Sequence, residues 1–211
     1  MSNLKIGKIV LSVCETNCYY VYREGDENCI VVDPGDKGDY IYTVLKEKGL
    51  AVSCILLTHG HFDHIWGCEE LRQLSGAKVF ALDEERAVLK NANLNVSDMI
   101  GRSCTIEADE YVHDMDVLTL NGMKIQVLAT PGHTQGSCCY NFVEENTIFT
   151  GDTLFEESVG RTDFPTGSGR TLSESISTKL APLSDDIVVY PGHGSQTTIE
   201  HERQYNPFWT K

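Results

Sequence analysis

Basic residues are scarce in this sequence of 211 residues, since 17 Lys and Arg stand against 31 Asp and Glu. The formal net charge is -14. A surface of that sign repels polyanions, so neither nucleic acid nor an anionic membrane is expected as a partner. Long apolar runs are also missing, and none approaches the roughly 18–20 residues that a membrane-spanning helix requires.

The first eight residues lack the unbroken apolar segment of a secretory signal, because Lys5, Gly7 and Lys8 interrupt it. A cytoplasmic location is therefore expected. The sequence also lacks a linker, a charge block or a low-complexity stretch. Its hydrophobic content of 41% is enough for one sizeable core. A single domain over residues 1–211 is expected.

The pattern Cys-x-x-Cys is absent, although the sequence contains eight cysteines. Most of them have apolar neighbours, as Cys54 does before Ile55 and Leu56. Small buried thiols in a reducing compartment are expected here, rather than disulfides or a metal cluster. The eight are Cys14, Cys18, Cys29, Cys54, Cys68, Cys104, Cys138 and Cys139.

Strand and helix patterns alternate along the chain. Runs rich in Val, Ile and Tyr predict strands at 6–13, 17–23, 29–33, 53–57, 77–81, 123–129, 138–143, 146–150 and 187–190. Helical spacing and capping-box patterns predict helices over 39–48, 63–74, 84–91 and 171–181, and a short one from 197. Residues 92–121 give only weak signals of short strands and turns. This interleaving favours an α/β sandwich, with two packed sheets and helices outside them.

The densest group of ligand-type side chains directly follows the predicted strand 53–57. His59, His61, Asp63 and His64 lie within six residues. Imidazole and carboxylate are ligands that Zn²⁺, Fe²⁺ or Mn²⁺ accept. The two histidines of an irregular His-x-His loop can converge on one ion, and the Asp-His pair can turn toward a second. The alternative is a polar turn in which Asp63 caps the following helix.

Three further loops repeat the order strand, glycine, ligand-type residue. They contain Gly132-His133, Gly151-Asp152 and Gly192-His193. Each would be an ordinary turn on its own, but the repetition favours a shared site. Loops at one edge of a sandwich can bring all seven side chains together. The two remaining histidines, His113 and His201, lack such a setting and are expected to be structural or exposed.

The order His-x-His-x-Asp-His, Gly-His, Gly-Asp and Pro-Gly-His resembles the metallo-β-lactamase superfamily. The resemblance runs from Asp33 to Phe208. It implies an αββα sandwich of two packed mixed β-sheets, with helices on the outer faces and two divalent metal ions. Zinc is favoured, with iron or manganese as alternatives. By this resemblance His59, His61 and His133 hold one ion. Asp63, His64 and His193 hold the other, Asp152 bridges them, and Asp63 orients the attacking hydroxide.

Within the superfamily, the chain is similar to glyoxalase II, the hydroxyacylglutathione hydrolase, and more closely to its short bacterial relatives. The similarity is carried by 151–155, 160–165, 190–194 and 197–198. It implies hydrolysis of S-2-hydroxyacyl-glutathione or a similar small acyl thioester. A thiolate leaving group needs little protonation, so a thioester requires no obvious general acid. Asp152 disfavours the true β-lactamases, whose pattern has no Asp at this position.

Departures from the glyoxalase II pattern concern the substrate. Only 17 residues follow Gly194, which is too short for the helical glutathione-binding region of the full-length enzyme. Asp163 and Ser195 stand where that enzyme has tyrosines. Arg161 stands at a basic contact for the substrate carboxylate, but it could equally tie down its own loop through Asp163 or backbone carbonyls. The glycine-rich loop 154–170 is expected to form a wall of the substrate cleft.

Two other functions remain open. The run Gly160-Arg-Thr-Asp-Phe164 is shared with persulfide dioxygenases, which use a single iron on a subset of the same ligands. That activity is the main alternative to a hydrolase. A non-catalytic binding module that metal ions stabilise is a minor alternative.

Overall fold

Two six-stranded mixed β-sheets lie at the centre of the molecule. The structure is a computed structural model that describes residues 3–209. Numbered along the chain, the strands of the first sheet are β1 (Leu4–Leu11), β2 (Thr16–Arg23), β3 (Asn28–Val32), β4 (Ala51–Leu56), β5 (Lys78–Leu82) and β6 (Glu110–Val112). They lie side by side in this order. The pairs from β1 to β3 are antiparallel and those from β3 to β6 are parallel.

The second sheet comes from the other half of the chain. Its strands are β7 (Val117–Leu120), β8 (Met123–Ala129), β9 (Cys138–Phe142), β10 (Thr147–Gly151), β13 (Val188–Pro191) and β14 (Thr197–Thr198). Their spatial order is β14-β13-β10-β9-β8-β7, and only the pair of β10 and β13 is parallel. A separate hairpin, β11 (Leu154–Phe155) with β12 (Ser158–Val159), follows β10.

Helices cover both outer faces of the paired sheets. They are α1 (Gly38–Glu47), α2 (Phe62–Ile65), α3 (Cys68–Ser75), α4 (Arg86–Leu89), α5 (Gly169–Ser175) and α6 (Ile199–Tyr205). Short 3-10 turns lie at Asp83–Glu85 and Ser97–Ile100, and a π-helical turn, Ile176–Leu180, continues α5. None of the helices in residues 3–209 is long and apolar enough to cross a membrane.

Three apolar clusters hold the layers together. The cluster between the sheets includes Val21, Leu56, Val127, Tyr140 and Phe149. A second cluster packs α1 and α3 on the first sheet and includes Ile41, Leu45, Ile55, Leu71 and Val79. A third packs α5 and α6 on the second sheet and includes Leu128, Ile148, Leu172, Val189 and Ile199. The layers are therefore helix, sheet, sheet and helix, which confirms the predicted αββα sandwich.

The helix predicted over 63–74 is wrong as one element, because the structure has two helices there, α2 and α3. The break falls at Gly67, whose N–H donates to the carbonyl of Pro34 at 2.9 Å. A Cβ at Gly67 would lie 2.7 Å from the backbone oxygen of Asp36. The chain turns here because the helix passes directly over the Asp33–Asp36 turn. The helix predicted over 84–91 is likewise shorter, with only Arg86–Leu89 in α4.

Both predicted capping boxes are displaced. The helix predicted from Thr171 begins at Gly169, and the hydroxyl of Ser168 accepts a hydrogen bond from the backbone N–H of Thr171. Near the carboxyl end, Thr198 rather than Thr197 caps α6, by accepting from the N–H of His201 at 3.1 Å. At both helix starts more than one Ser or Thr could serve as the cap, so the sequence pattern alone does not determine the first residue of the helix.

All eight cysteines are free thiols, as the sequence predicts. Six are buried, and the side chains of Cys14 and Cys104 are half-buried. Burial raises the pKa of the buried thiols, to about 11 for Cys54 and Cys139. These thiols are therefore protonated packing groups.

Gly35→Ala tests how closely the Asp33–Asp36 turn supports the ligand-rich loop. A Cβ at Gly35 would lie 2.1 Å from the backbone oxygen of Asp63, which a rigid turn cannot accommodate. We expect the substitution to lower the free energy of unfolding in urea by about 1–3 kcal/mol or more. The control is Gly169→Ala, whose Cβ would meet only the Thr162 hydroxyl at 3.3 Å. Equal stability of the two variants would contradict this account.

Candidate metal centre

The predicted ligand residues lie where strands end. His59 follows β4, His133 follows β8, Asp152 follows β10 and His193 follows β13. The carboxyl ends of parallel strands share one edge of a sheet, which is where open α/β sheets place their sites. Backbone hydrogen bonds tie the two sheets together at this edge, since the N–H of Cys138 donates to the Thr58 carbonyl at 2.8 Å. All seven predicted ligands meet there.

Two glycines permit the close approach of these loops. Gly151 has φ +48, and a Cβ there would lie 2.2 Å from the Thr58 hydroxyl. A Cβ at Gly192 would lie 2.3 Å from the Asp152 carboxylate. The glycines before Asp152 and His193, which belong to the repeated pattern of the sequence, are therefore a steric requirement of the crowded edge.

His59, His61 and His133 form the first ligand group. One ring nitrogen from each lies within 4.8 Å of the others. The Nδ1 atom of His61 lies 2.8 Å from Nε2 of His133. Burial lowers the pKa of all three imidazoles below its usual value, to about 3 for His61. All three are therefore neutral at neutral pH, and the neutral ring is the form that binds metal.

Asp63, His64 and His193 form the second ligand group. Nε2 of His193 lies 3.3 Å from Asp63 Oδ2 and 3.4 Å from Nε2 of His64. Asp152 lies between the two groups, because its Oδ2 is 3.5 Å from Nε2 of both His133 and His193. Asp33, His59 and His64 form a third group that overlaps both, so the division of the ligands between two ions stays an implication of the family resemblance.

Charge differs between the two groups. Burial lowers the pKa of His64, but the carboxylates of Asp152, Asp63 and Asp33 outweigh it and hold the pKa well above its usual value. The pKa of His193 is raised to about 9, since hydrogen bonds to Asp152 and Asp63 overcome the effect of burial. Burial raises the pKa of Asp152, yet His64 and His193 bring it well below its usual value. The carboxylates are thus ionised beside these two histidines.

The donor set fits divalent metal ions. The Nε2 atoms of His59 and His61 are buried and have no hydrogen-bond partner in the described residues. Leaving a buried ring nitrogen unpaired is costly unless a ligand completes its coordination. Five imidazoles and two carboxylates, with no thiolate among them, suit zinc, iron or manganese.

Asp33 orients the His64 ring of the second group from the side away from the other ligands. In the sequence, Asp33 marked only the start of the family resemblance, and this role was not predicted. Its buried carboxylate accepts from the N–H and the hydroxyl of Thr58, at 2.8 and 2.6 Å, and lies 2.9 Å from Nδ1 of His64. A carboxylate on the far nitrogen of a histidine fixes its ring and tautomer. Asp33 has φ +51, a strained value for a residue other than glycine.

Backbone carbonyls orient two other imidazoles. Nδ1 of His133 lies 2.7 Å from the carbonyl oxygen of Arg161, and Nδ1 of His193 lies 3.0 Å from that of Cys14. Each bond leaves Nε2 facing the site. A hydroxyl orients a carboxylate in the same way, because Thr16 donates to Asp63 Oδ2 at 3.0 Å. Sequence patterns carry no signal for such contacts between distant segments.

Loop 154–170 borders the ligand groups. The ring of Phe164 lies edge-on to His61 at 5.7 Å, and that of Phe155 to His193 at 6.0 Å. Arg161 donates two hydrogen bonds of 2.7 Å to Asp163 and lies over the Phe164 ring. This is the loop-fixing role that the sequence left open, whereas a substrate contact of Arg161 stays a prediction.

The two histidines without a predicted metal role lie outside both ligand groups. The side chain of His113 is exposed, and Nε2 of His201 lies 3.1 Å from Glu157.

Comparison with known proteins identifies the family. The sequence model of the metallo-beta-lactamase superfamily matches residues 11–193. The hydroxyacylglutathione hydrolase GloC of Haemophilus influenzae is 34% identical over 97% of this chain and 98% of its own length. The chain belongs to the metallo-beta-lactamase superfamily, as its motifs predicted.

Solved structures repeat the fold over nearly the whole chain. BLEG-1, described as a B3 metallo-beta-lactamase, superposes with a TM-score of 0.93 at 36% identity and covers 98% of this chain and 100% of its own. A di-iron-bound form of TTHA1623 gives 0.85 at 30% identity, with 96% and 99% covered. ETHE1 from Myxococcus xanthus gives 0.80 at 28%, with 96% and 83% covered.

Metal removal should destabilise the protein. A ligand that binds only the folded state, at 1,000 times its Kd, adds about 4 kcal/mol. We expect chelation of the purified protein to lower Tm by several degrees, and added Zn²⁺, Fe²⁺ or Mn²⁺ to restore it. His133→Ala should reduce both the metal content and the response, whereas His113→Ala should change neither. A Tm that is insensitive to chelator would contradict the assignment of a metal centre.

Asp33→Asn should weaken metal binding while preserving shape. The amide presents donors to Thr58 and His64, where the carboxylate only accepts. Loss of such an outer carboxylate typically weakens metal affinity about 10- to 100-fold. Metal content after dialysis against graded chelator would measure the loss. Asp36→Asn, which changes a surface pair with Arg102, is the control and should retain full metal content.

Proposed function

We propose that this member of the metallo-beta-lactamase superfamily is a binuclear metallohydrolase that cleaves small acyl thioesters, with S-2-hydroxyacyl-glutathione as the favoured class. The observation that carries the proposal is the pair of complete ligand groups with Asp152 between them. A mononuclear enzyme needs only one such group. The extensive similarity to a hydroxyacylglutathione hydrolase supports the substrate class.

Two bound divalent ions would supply Lewis-acid polarisation of the carbonyl and lower the pKa of the attacking water. His59, His61 and His133 would hold one ion, and Asp63, His64 and His193 the other. Asp63 would also accept a hydrogen bond from the attacking water. The hydrogen bond from the Thr16 hydroxyl fixes the orientation of its carboxylate. The departing thiolate is stable without a proton, so no side chain has to act as general acid.

The rim of the site suits a substrate with an apolar part near the reacting carbonyl. The rings of Phe155 and Phe164 flank the two ligand groups, on the side formed by loop 154–170. The guanidinium of Arg161 is half-exposed beside Phe164, where an anionic substrate could compete with Asp163 for it. That competition would be the substrate contact predicted for Arg161.

Two other activities have specific support. The Gly160–Phe164 run is shared with the persulfide dioxygenases, and an enzyme of that kind would work with one iron. The likeness to BLEG-1 supports β-lactam hydrolysis. The presence of Asp152 argues against it, because the pattern of the true β-lactamases has no Asp at this position. The three activities would draw on overlapping sets of these ligand residues, so the assays must compare substrates on one preparation.

We expect metal-loaded protein to release free thiol from S-lactoylglutathione, detected with a thiol reagent, and to contain close to two metal ions per chain. Asp63→Asn should lower kcat at least 100-fold, because it removes both a ligand and the group that orients the nucleophile. Glu157→Gln, a surface change beside His201, is the control and should leave turnover unchanged.

The same preparation should be tested with glutathione persulfide in an oxygen electrode and with a chromogenic β-lactam. One iron per chain with oxygen uptake and no thioester cleavage would replace the proposal by the dioxygenase. Cleavage of the β-lactam alone would replace it by a lactamase.

A further inference from the structure

A buried carboxylate lies behind the first ligand group and belongs to neither group. Glu85 is the last residue of the 3-10 turn Asp83–Glu85 and is 1% exposed. As one of three consecutive acidic residues before a helix, it has the sequence appearance of a solvent-facing charge. Its burial therefore calls for a physical explanation, because an ionisable side chain is rarely buried without partners.

Three hydrogen bonds converge on this carboxylate. Oε1 accepts from the backbone N–H of Gly60 at 2.7 Å. Oε2 accepts from the N–H of Gly136 at 2.8 Å and from the hydroxyl of Thr134 at 3.0 Å. Gly60 lies between His59 and His61, and Thr134 directly follows His133. One carboxylate thus joins the two loops that supply all three imidazoles of the first group.

The backbone at Gly60 and Gly136 packs closely against Glu85 and the helix that follows it. A Cβ at Gly136 would lie 2.2 Å from the backbone nitrogen of Glu85, and one at Gly60 would lie 3.0 Å from Val88. Position 136 therefore needs glycine, and position 60 leaves little room for a side chain. Burial raises the pKa of Glu85 to about 7, while the hydrogen bonds from Gly60, Thr134 and Gly136 lower it. All three partners of the Glu85 carboxyl are donors, and two of them are backbone N–H groups. The surroundings of this side chain therefore suit a group that accepts hydrogen bonds.

Glu202 provides an internal comparison. It is also fully buried, and it accepts from Thr197 at 2.6 Å, from Asn206 at 2.7 Å and from the N–H of Glu157 at 2.9 Å. Its bonds tie the carboxyl-terminal helix to the β11–β12 hairpin and touch no metal-ligand loop. If Glu85 only stabilised the fold, substitution of either carboxylate would have the same kind of effect.

We propose that Glu85 is a positioning residue that fixes the spacing of His59, His61 and His133 and thereby sets the affinity of that metal site alone. The inference rests on the proposed two-metal centre and goes beyond it by assigning an outer carboxylate to each half. Asp33 holds the His64 ring of the second group, and Glu85 holds the two loops of the first.

The test compares the isosteric variants Glu85→Gln and Glu202→Gln. Each is loaded with zinc and dialysed against graded chelator, and the metal retained per chain is measured together with Tm. We expect Glu85→Gln to lose one of two zinc ions at about 10- to 100-fold lower chelator strength than the unsubstituted protein. Glu202→Gln should lower Tm but retain both ions at the original chelator strength.

Ligand variants identify which ion is lost. His193→Ala disables the second group, so adding Glu85→Gln should strip the zinc that remains. His133→Ala disables the first group, so adding Glu85→Gln should leave the remaining zinc at the same affinity. Should Glu85→Gln fail to fold, Thr134→Val removes one of the three donors and should show the same selectivity at smaller magnitude.

Equal zinc retention in Glu85→Gln and Glu202→Gln would overturn the inference, as would equal weakening of both ions by Glu85→Gln. Neither result would affect the proposed thioester hydrolysis. An unsubstituted protein that binds no zinc, iron or manganese would overturn both proposals together. If Glu85→Gln weakens only the first zinc ion but the unsubstituted protein cleaves no thioester, the positioning role stands and only the proposed substrate is removed.

Discussion

Buried carboxylates that accept hydrogen bonds from several loops at once hold this site together. Taking a carboxyl group out of water is costly unless donors surround it. Asp33 meets that requirement with Thr58 and His64, and Glu85 meets it with Gly60, Thr134 and Gly136. The donors come from loops far apart in the sequence, so each carboxylate is satisfied only when the loops are correctly folded. Folding of the edge and assembly of the site are one event.

The balance of charge explains how so many ionisable groups share a small volume. The three imidazoles of the first group are neutral, since burial lowers their pKa. In the second group, Asp63 and Asp152 lie against His64 and His193, so opposite charges compensate. A cation that enters the first group meets neutral nitrogens, whereas one that enters the second displaces protons. Metal affinity of the two halves should therefore respond differently to acid.

The sequence predicts nine of the fourteen strands of the described residues, the layer order and the seven ligand-type residues, because these depend on local patterns. It does not predict the short strands β6, β7, β11, β12 and β14, of which β11 and β12 lie in the segment expected to be loop 154–170. Each of the nine predicted strands shows its alternating or continuous apolar run, and His133, Asp152 and His193 each follow a strand and a glycine. What the sequence misses depends on contacts between distant segments. The break at Gly67 comes from its packing on the Pro34 turn, and the displaced helix starts come from competition between neighbouring hydroxyls. Glu85 gives no signal because its three donors, two of them backbone groups, lie in other loops.

The way loop 154–170 meets the metal centre has a consequence for divergence within the superfamily. Arg161 contacts His133 through its backbone carbonyl, an atom that every amino acid carries. The N–H of Glu157, in the turn of the β11–β12 hairpin, bonds to Glu202 and likewise does not depend on the side chain at position 157. Side chains along the loop can therefore be exchanged without disturbing that contact, except at Gly160, where a Cβ would lie 1.9 Å from the backbone oxygen of Asp152 and 3.0 Å from Nδ1 of His133. Such an arrangement separates the metal-ligand residues from the side chains that border them, and it lets the border change in small, individually viable steps.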